Sequence, residues 1–151
     1  MKYHAVIKEI PETVVYSEER CLKDYSEVTA LVLGSDTECR RLNPNIECAK
    51  PDYCFCEYLD GEHRETDILV RYSQAVVKAG VGNDRIKFRT LPATKAVCIY
   101  HKGAYSQLGD AYAYIMKYTN ENGYNISGFP RERYIAGART HPNPEHRLPS
   151  I

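Results

Sequence analysis

The sequence predicts an α+β fold: two β-α-β-β units related by a pseudo-twofold axis, forming an antiparallel sheet with two main helices and a central groove. Three observations carry this expectation. Short motifs recur in the same order in the two halves of the 151-residue chain. One stretch of helical apolar spacing stands in each half, and runs of alternating apolar residues flank each stretch. The paired motifs are Ile10-Pro11-Glu12-Thr13 with Leu91-Pro92-Ala93-Thr94, Tyr25-Ser26-Glu27-Val28 with Tyr105-Ser106-Gln107-Leu108, and Glu57-Tyr58-Leu59-Asp60-Gly61 with Arg133-Tyr134-Ile135-Ala136-Gly137. Their offsets are 81, 80 and 76 residues. A lone echo would be chance. Three in one order indicate a duplicated unit of roughly 75 to 80 residues within a single domain over residues 1–151. Repeat one is read as about 3–77 and repeat two as about 86–151, joined by KAGVGND, residues 78–84.

The elements follow in order. After the Pro11 turn, Val14 to Arg20 reads as a strand. A helix runs from about Asp24 to Leu42, with Tyr25, Val28, Leu31, Val32 and Cys39 on its apolar stripe. Gly34 weakens that helix and Pro44 cannot continue it. Tyr53 to Leu59 is a strand, Asp60-Gly61 opens a turn, and Asp67 to about Tyr72 is a strand with Ile68, Val70 and Tyr72 alternating. In the second half, Ile86 to Leu91 and Lys95 to His101 read as strands. The helix from Tyr105 carries Leu108, Tyr112, Ile115, Met116 and Thr119 on its apolar side, and Gly123 suits a left-handed C-terminal cap. Phe129 to Ala136 is the next strand. His141-Pro142-Asn143-Pro144 is a loop, and Leu148 to Ile151 starts a short last strand.

Composition narrows the function. Twenty basic residues balance twenty acidic ones, so the chain lacks the positive field that broad nucleic-acid or membrane-surface binding needs. No apolar run reaches the roughly 18 residues of a membrane-spanning helix, and the charged N-terminus carries no signal-peptide core. Six cysteines are present, but Cys54-Phe55-Cys56 places two thiols on one strand face without a metal-ligand spacing. They read as reduced core thiols, with no metal and no cofactor assigned, which suits the cytoplasm. His63, His101, His141 and His146 show no ligand-like spacing and read as surface or turn residues. Thirteen tyrosines without a tryptophan fill half-buried sheet positions. Tyrosine also lines pockets for flat or cationic ligands, because it offers a ring face and a polar tip.

Within RERYIAG, residues 131–137, strand alternation sends Glu132 and Tyr134 to one face and Arg131 and Arg133 to the other. Through the repeat, Glu132 corresponds to Cys56 and Tyr134 to Tyr58, so the two halves present these four residues to the shared axis. A carboxylate among aromatic rings must raise its pKa, accept hydrogen bonds from phenols, or await a cation. The competing reading is an exposed strand on which Glu132 pairs with neighbouring arginines. Tyr105 and Tyr112 lie at i and i+7 on one helical face, and Tyr25 is the repeat partner of Tyr105; each can be read as core or as pocket. Tyr72 is a further candidate on its strand.

These residues carry a family resemblance. Leu91-Pro92, the stretch His101 to Tyr112, Asn122-Gly123-Tyr124 and Pro130-Arg131-Glu132-Arg133-Tyr134 resemble the gyrase-inhibitor-like (GyrI-like) small-molecule-binding domain. The chain looks most like the C-terminal effector-binding half of MerR-type multidrug-sensing regulators. Lys8-Glu9-Ile10-Pro11 and Arg64-Glu65-Thr66-Asp67-Ile68 match in the first repeat, so the resemblance covers nearly the whole chain. It implies a duplicated β-α-β-β fold shared with SOUL haem-binding proteins, and a pocket for lipophilic, often cationic molecules with Glu132 facing the groove. The chain departs from the pattern at its end, where His146-Arg147-Leu148-Pro149-Ser150-Ile151 replaces the family's usual closing segment. The regulators' DNA-binding winged helix is also missing ahead of Lys2. The expected function is therefore small-molecule binding without direct nucleic-acid or membrane contact, as a stand-alone sensor or alongside a DNA-binding domain in cis or a partner protein. Three alternatives stay open: hydrolysis of cyclopropane-containing toxins by Glu132 with Tyr134 or Tyr58, gyrase inhibition through protein contacts, and haem carriage. The last is disfavoured because no histidine sits on a pocket strand.

Overall fold

The computed structural model describes residues 3–60, 66–99, 101–102, 108–125, 130–134 and 146–150. In chain order the elements are β1 (Val6–Ile10), β2 (Thr13–Leu22), a 3₁₀ turn (Tyr25–Glu27), α1 (Val28–Leu42), β3 (Cys54–Tyr58) and β4 (Ile68–Ala75). They continue with β5 (Lys87–Leu91), β6 (Thr94–Cys98), β7 (His101–Lys102), α2 (Leu108–Glu121), β8 (Arg131–Tyr134) and β9 (His146–Ser150). This is the α+β architecture expected, with two helices and antiparallel strand pairing. The chain forms two compact units, residues 1–10 with 94–151 and residues 11–93. The edges of these units cross the sequence repeats: β1 pairs with β6, and β5 pairs with β2.

In the 11–93 unit the strands run in the order β3-β4-β2-β5. Register sorts the side chains into two faces. Tyr16, Glu18 and Leu22 of β2 stand opposite Gln74, Tyr72 and Ile68 of β4, and Tyr72 in turn stands opposite Cys56 of β3. This face meets α1, because the Ser35 hydroxyl of α1 donates to Glu18 Oε1 at 2.8 Å. Val28, Leu31, Ser35 and Cys39, spaced three or four apart, are the buried stripe of α1. A Cβ at Gly34 would make only ordinary contacts, 3.9 Å from Arg20 Nη2 and 4.0 Å from Arg85 Nη2, so space does not demand glycine there. Both arginines bond Glu18, at 2.6 and 3.2 Å.

The other face holds an apolar cluster of Val15, Phe55, Ala75 and Leu91, packed by Ala49 and Tyr53. Beside it Ser17 and Ser73 share a 2.7 Å hydrogen bond, and Arg89 donates to both, at 3.1 and 3.0 Å. The stretch 78–84 is strapped down along α1. Val81 exchanges two backbone hydrogen bonds with the Asn43 side chain, at 2.7 and 2.9 Å, and Asn83 donates to Glu38 at 2.9 Å.

The other unit pairs its strands in the order β1-β6-β9-β8, with β7 also on β9. β1 went unread in the sequence because Val6 to Glu9 are exposed on both faces, so no alternation marks it. The last strand begins earlier than expected, at His146. Ala111, Ile115 and Thr119 form the buried stripe of α2, and the first two pack with Ile99. Met116, expected on that stripe, is 54% exposed. It lies one residue, about 100°, past Ile115, and Ala111 takes the inward position. Gly123 adopts φ +72° and closes the helix as expected. The Tyr124 N–H donates to Thr119 O at 2.9 Å and the Gly123 N–H to Asn120 O at 3.3 Å, the paired bonds of a Schellman cap.

Gly123→Ala costs about 1–2 kcal/mol in chemical denaturation, because the added Cβ meets nothing within 4 Å and only the left-handed backbone is strained. Glu18 generates a pH prediction. Burial raises its pKa, but hydrogen bonds from Ser35, Arg20 and Arg85 outweigh burial and hold the carboxyl below the usual range. Its stabilisation is therefore complete above the ordinary carboxylate value near ~4.3 and is lost as pH falls through the lower folded value. Glu18→Gln should lower stability at neutral pH by roughly 1–3 kcal/mol and flatten the acid limb of the stability–pH curve; an unchanged limb would refute the assignment.

Candidate ligand site

Glu132 sits in the middle of β8 and is 4% exposed, while Arg131 and Arg133 on either side of it are half-buried. The carboxylate thus occupies the buried side of its strand. The Tyr112 hydroxyl of α2 donates to Glu132 Oε2 at 2.5 Å, at the short end for a hydroxyl bonded to a carboxylate. Tyr112 itself is half-buried. It follows buried Ala111 and precedes buried Ile115 by three residues, so the ring stands at the margin of the helix's inward stripe. Helix periodicity and strand alternation together bring these two side chains to one point. Tyr134, two residues past Glu132 on β8, stands opposite Arg147 of β9 in register. Its side chain, and the whole of Tyr105, lie outside the described residues.

The remaining candidates belong to the 11–93 unit, on the face that meets α1. Cys56 is fully buried and Tyr72 is 2% exposed, directly opposite it. The Tyr72 hydroxyl donates to Gln74 Oε1 at 3.3 Å, and its ring meets Tyr16 edge-on at 6.4 Å between centroids. Tyr58 is half-buried and meets Tyr25 edge-on at 5.6 Å, a favoured aromatic geometry. Asp24, which accepts from the Ser26 N–H at 2.9 Å, caps the 3₁₀ turn that presents Tyr25.

Sequence reasoning missed Tyr16 and two buried acids. Tyr16 follows the same alternation as Glu18 on β2, and its burial pushes the phenol pKa up. Glu57 lies on the opposite face from Cys56, held by Arg71 at 2.9 Å and Arg89 at 3.2 Å. Glu18 is held by Arg20 and Arg85. Each of these carboxylates takes charged donors, and Glu132 takes the Tyr112 phenol. Alternation would have placed Glu18 and Glu57 on opposite faces. Arg20 lies two residues from Glu18 on β2, but nothing local names Arg85, Arg71 or Arg89, which come from the end of the strapped segment, β4 and β5. Among the described residues no three His, Cys, Asp or Glu side chains are grouped to hold a metal ion, and no helix is long and apolar enough to cross a membrane.

Tyr112→Phe deletes one donor to a buried carboxylate, with an expected loss of about 1–3 kcal/mol in folding stability. A double-mutant cycle with Glu132→Gln should return a coupling of about 0.5 kcal/mol or more; simple additivity would show the pair to be energetically idle.

Comparison with known proteins agrees with this architecture. The model of the GyrI-like small molecule binding domain matches residues 33–149. The C-terminal domain of EcmrR superposes with a TM-score of 0.86 at 36% identity, over 100% of this chain and 96% of that one. EcmrR in its complex with DNA gives 0.87 at 36% identity, and there this chain spans 56% of the matched chain. A hydrolase from Listeria innocua shares the fold, with a TM-score of 0.62 at 12% identity over 97% of this chain and 88% of that one. No curated protein matches. With a family model covering more than two thirds of its length and a one-third-identical domain superposing along all of it, the chain belongs to the GyrI-like small-molecule-binding domain family.

Proposed function

We propose that this domain binds a small lipophilic molecule bearing a positive charge, with Glu132 as the counter-charge. The observation that carries the reading is a carboxylate only 4% exposed, bonded by a half-buried tyrosine. In so dry a setting a charge pair is worth more than in water, and an apolar body adds burial energy of about 25 cal/mol per Å². Phenol rings add cation–π attraction of roughly 0.5–2 kcal/mol each. Such binding needs few directional contacts, so it tolerates varied ligands of one charge type. Tyr112 is the proposed partner of Glu132. Tyr25, Tyr58, Tyr134, Tyr105 and Cys56 are proposed as further ligand-binding residues on the strength of the sequence repeat, and Tyr72 on that of its strand position.

The domain is further proposed to act as the effector-binding part of a MerR-type transcription regulator in the cytoplasm, with a DNA-binding domain in cis. In support, the chain corresponds to 56% of an EcmrR chain solved in complex with DNA. A rhodamine dye, a rigid lipophilic cation, tests the ligand reading by fluorescence anisotropy. Saturable binding is expected, weakened at least about tenfold, or 1.4 kcal/mol, in Glu132→Gln, whose fold is checked by circular dichroism. Undiminished affinity in that variant would remove Glu132 from the site.

A further inference from the structure

An open groove, lined by none of the candidate ligand-site residues, lies in the 11–93 unit. It offers about 530 Å³, open to solvent on one side, between the C-terminal end of α1 with the chain that follows it, Leu42 to Glu47, and the stretch Val77 to Gly80. That volume falls within the range of about 300–1,000 Å³ typical of small-molecule sites. Its apolar lining comes from Leu42, Pro44, Ile46, Val77 and Ala79.

Both walls are held before any ligand arrives. At one edge the Val77 N–H donates to Glu47 O at 2.9 Å. At the other, the Asn43 amide takes the place of a strand neighbour: it accepts from Val81 N at 2.7 Å and donates to Val81 O at 2.9 Å. The same amide donates to Cys39 O at 3.1 Å, which ties the outer wall to the helix. Gly80 permits this approach, since a Cβ there would fall 2.4 Å from Asn43 Oδ1. A cavity whose walls are already joined spares its ligand much of the ordering cost of binding.

The lining also bears on ligand charge. Glu47 and Lys78 contribute one charge of each sign, and both are solvent-exposed, so their field largely cancels and is screened. Val77, 61% exposed at the rim, leaves apolar surface for a ligand to cover. We infer that this cavity is a second small-molecule site, taking a compact neutral molecule of mostly apolar surface rather than a cation.

Nile red, a neutral apolar dye, tests the assignment on the whole chain. Its fluorescence should rise saturably, and amide NMR shifts should concentrate at residues 42–47 and 77–80. Ala79→Trp, at an exposed position, fills the space and should weaken the dye at least tenfold while leaving rhodamine binding unchanged. Ile46→Ser, which removes apolar lining without filling the cavity, should weaken it in the same direction. Absence of dye binding, affinity unmoved by both substitutions, or shifts centred on Tyr112 and Glu132 would each overturn the inference. Rhodamine failure with Nile red success would discard the cation reading alone.

Discussion

A carboxylate removed from water must recover several kcal/mol of lost hydration from donors fixed in the fold, and this chain meets that constraint at Glu18, Glu57 and Glu132. Each lies on a strand and each is at most 5% exposed. Two arginines clamp Glu18 and two clamp Glu57, so the charge is balanced within a few ångströms. At Glu132 one donor is the Tyr112 phenol. A buried carboxylate is a setting in which an incoming cation gains, since its Coulomb term is weakly screened.

The first of these acids also organises its unit. Glu18 gathers β2, the Ser35 turn of α1 and Arg85 at the end of the strapped stretch into one set of bonds. Gly34 stays helical because the packing of the buried stripe of α1 outweighs a local cost of about 1 kcal/mol. A segment that reads as an unstructured joint thereby becomes a fixed element, tied through Asn43, Asn83 and Arg85. Of these, Asn43 also lines the groove at the end of α1.

The two proposed sites ask different things of a ligand. Glu132 selects for charge inside a polar, hydrogen-bonded setting. The cavity at the end of α1 offers shape and apolar contact between walls that the backbone has already joined. Nothing couples them in sequence, and they use separate elements.

Local periodicity told most of the architecture. The spacing of Val28, Leu31 and Cys39, and of Ile115 and Thr119, specified two helices and their inward stripes. Alternation at Ile68, Val70 and Tyr72 specified a strand, Gly123 marked a helix end, and the short echoes marked the duplication. Glu132 was legible as a buried acid because alternation separates it from Arg131 and Arg133, and the family motif points to the same residue. Tertiary structure decided what lies across space. It paired β1 with β6 and β5 with β2, turned Met116 outward in favour of Ala111, set Tyr112 against Glu132, and chose Arg71 and Arg89 for Glu57. Those pairings follow from strand register and from which helix covers which face. Both arise when distant segments bury surface together, and no run of neighbouring residues encodes them.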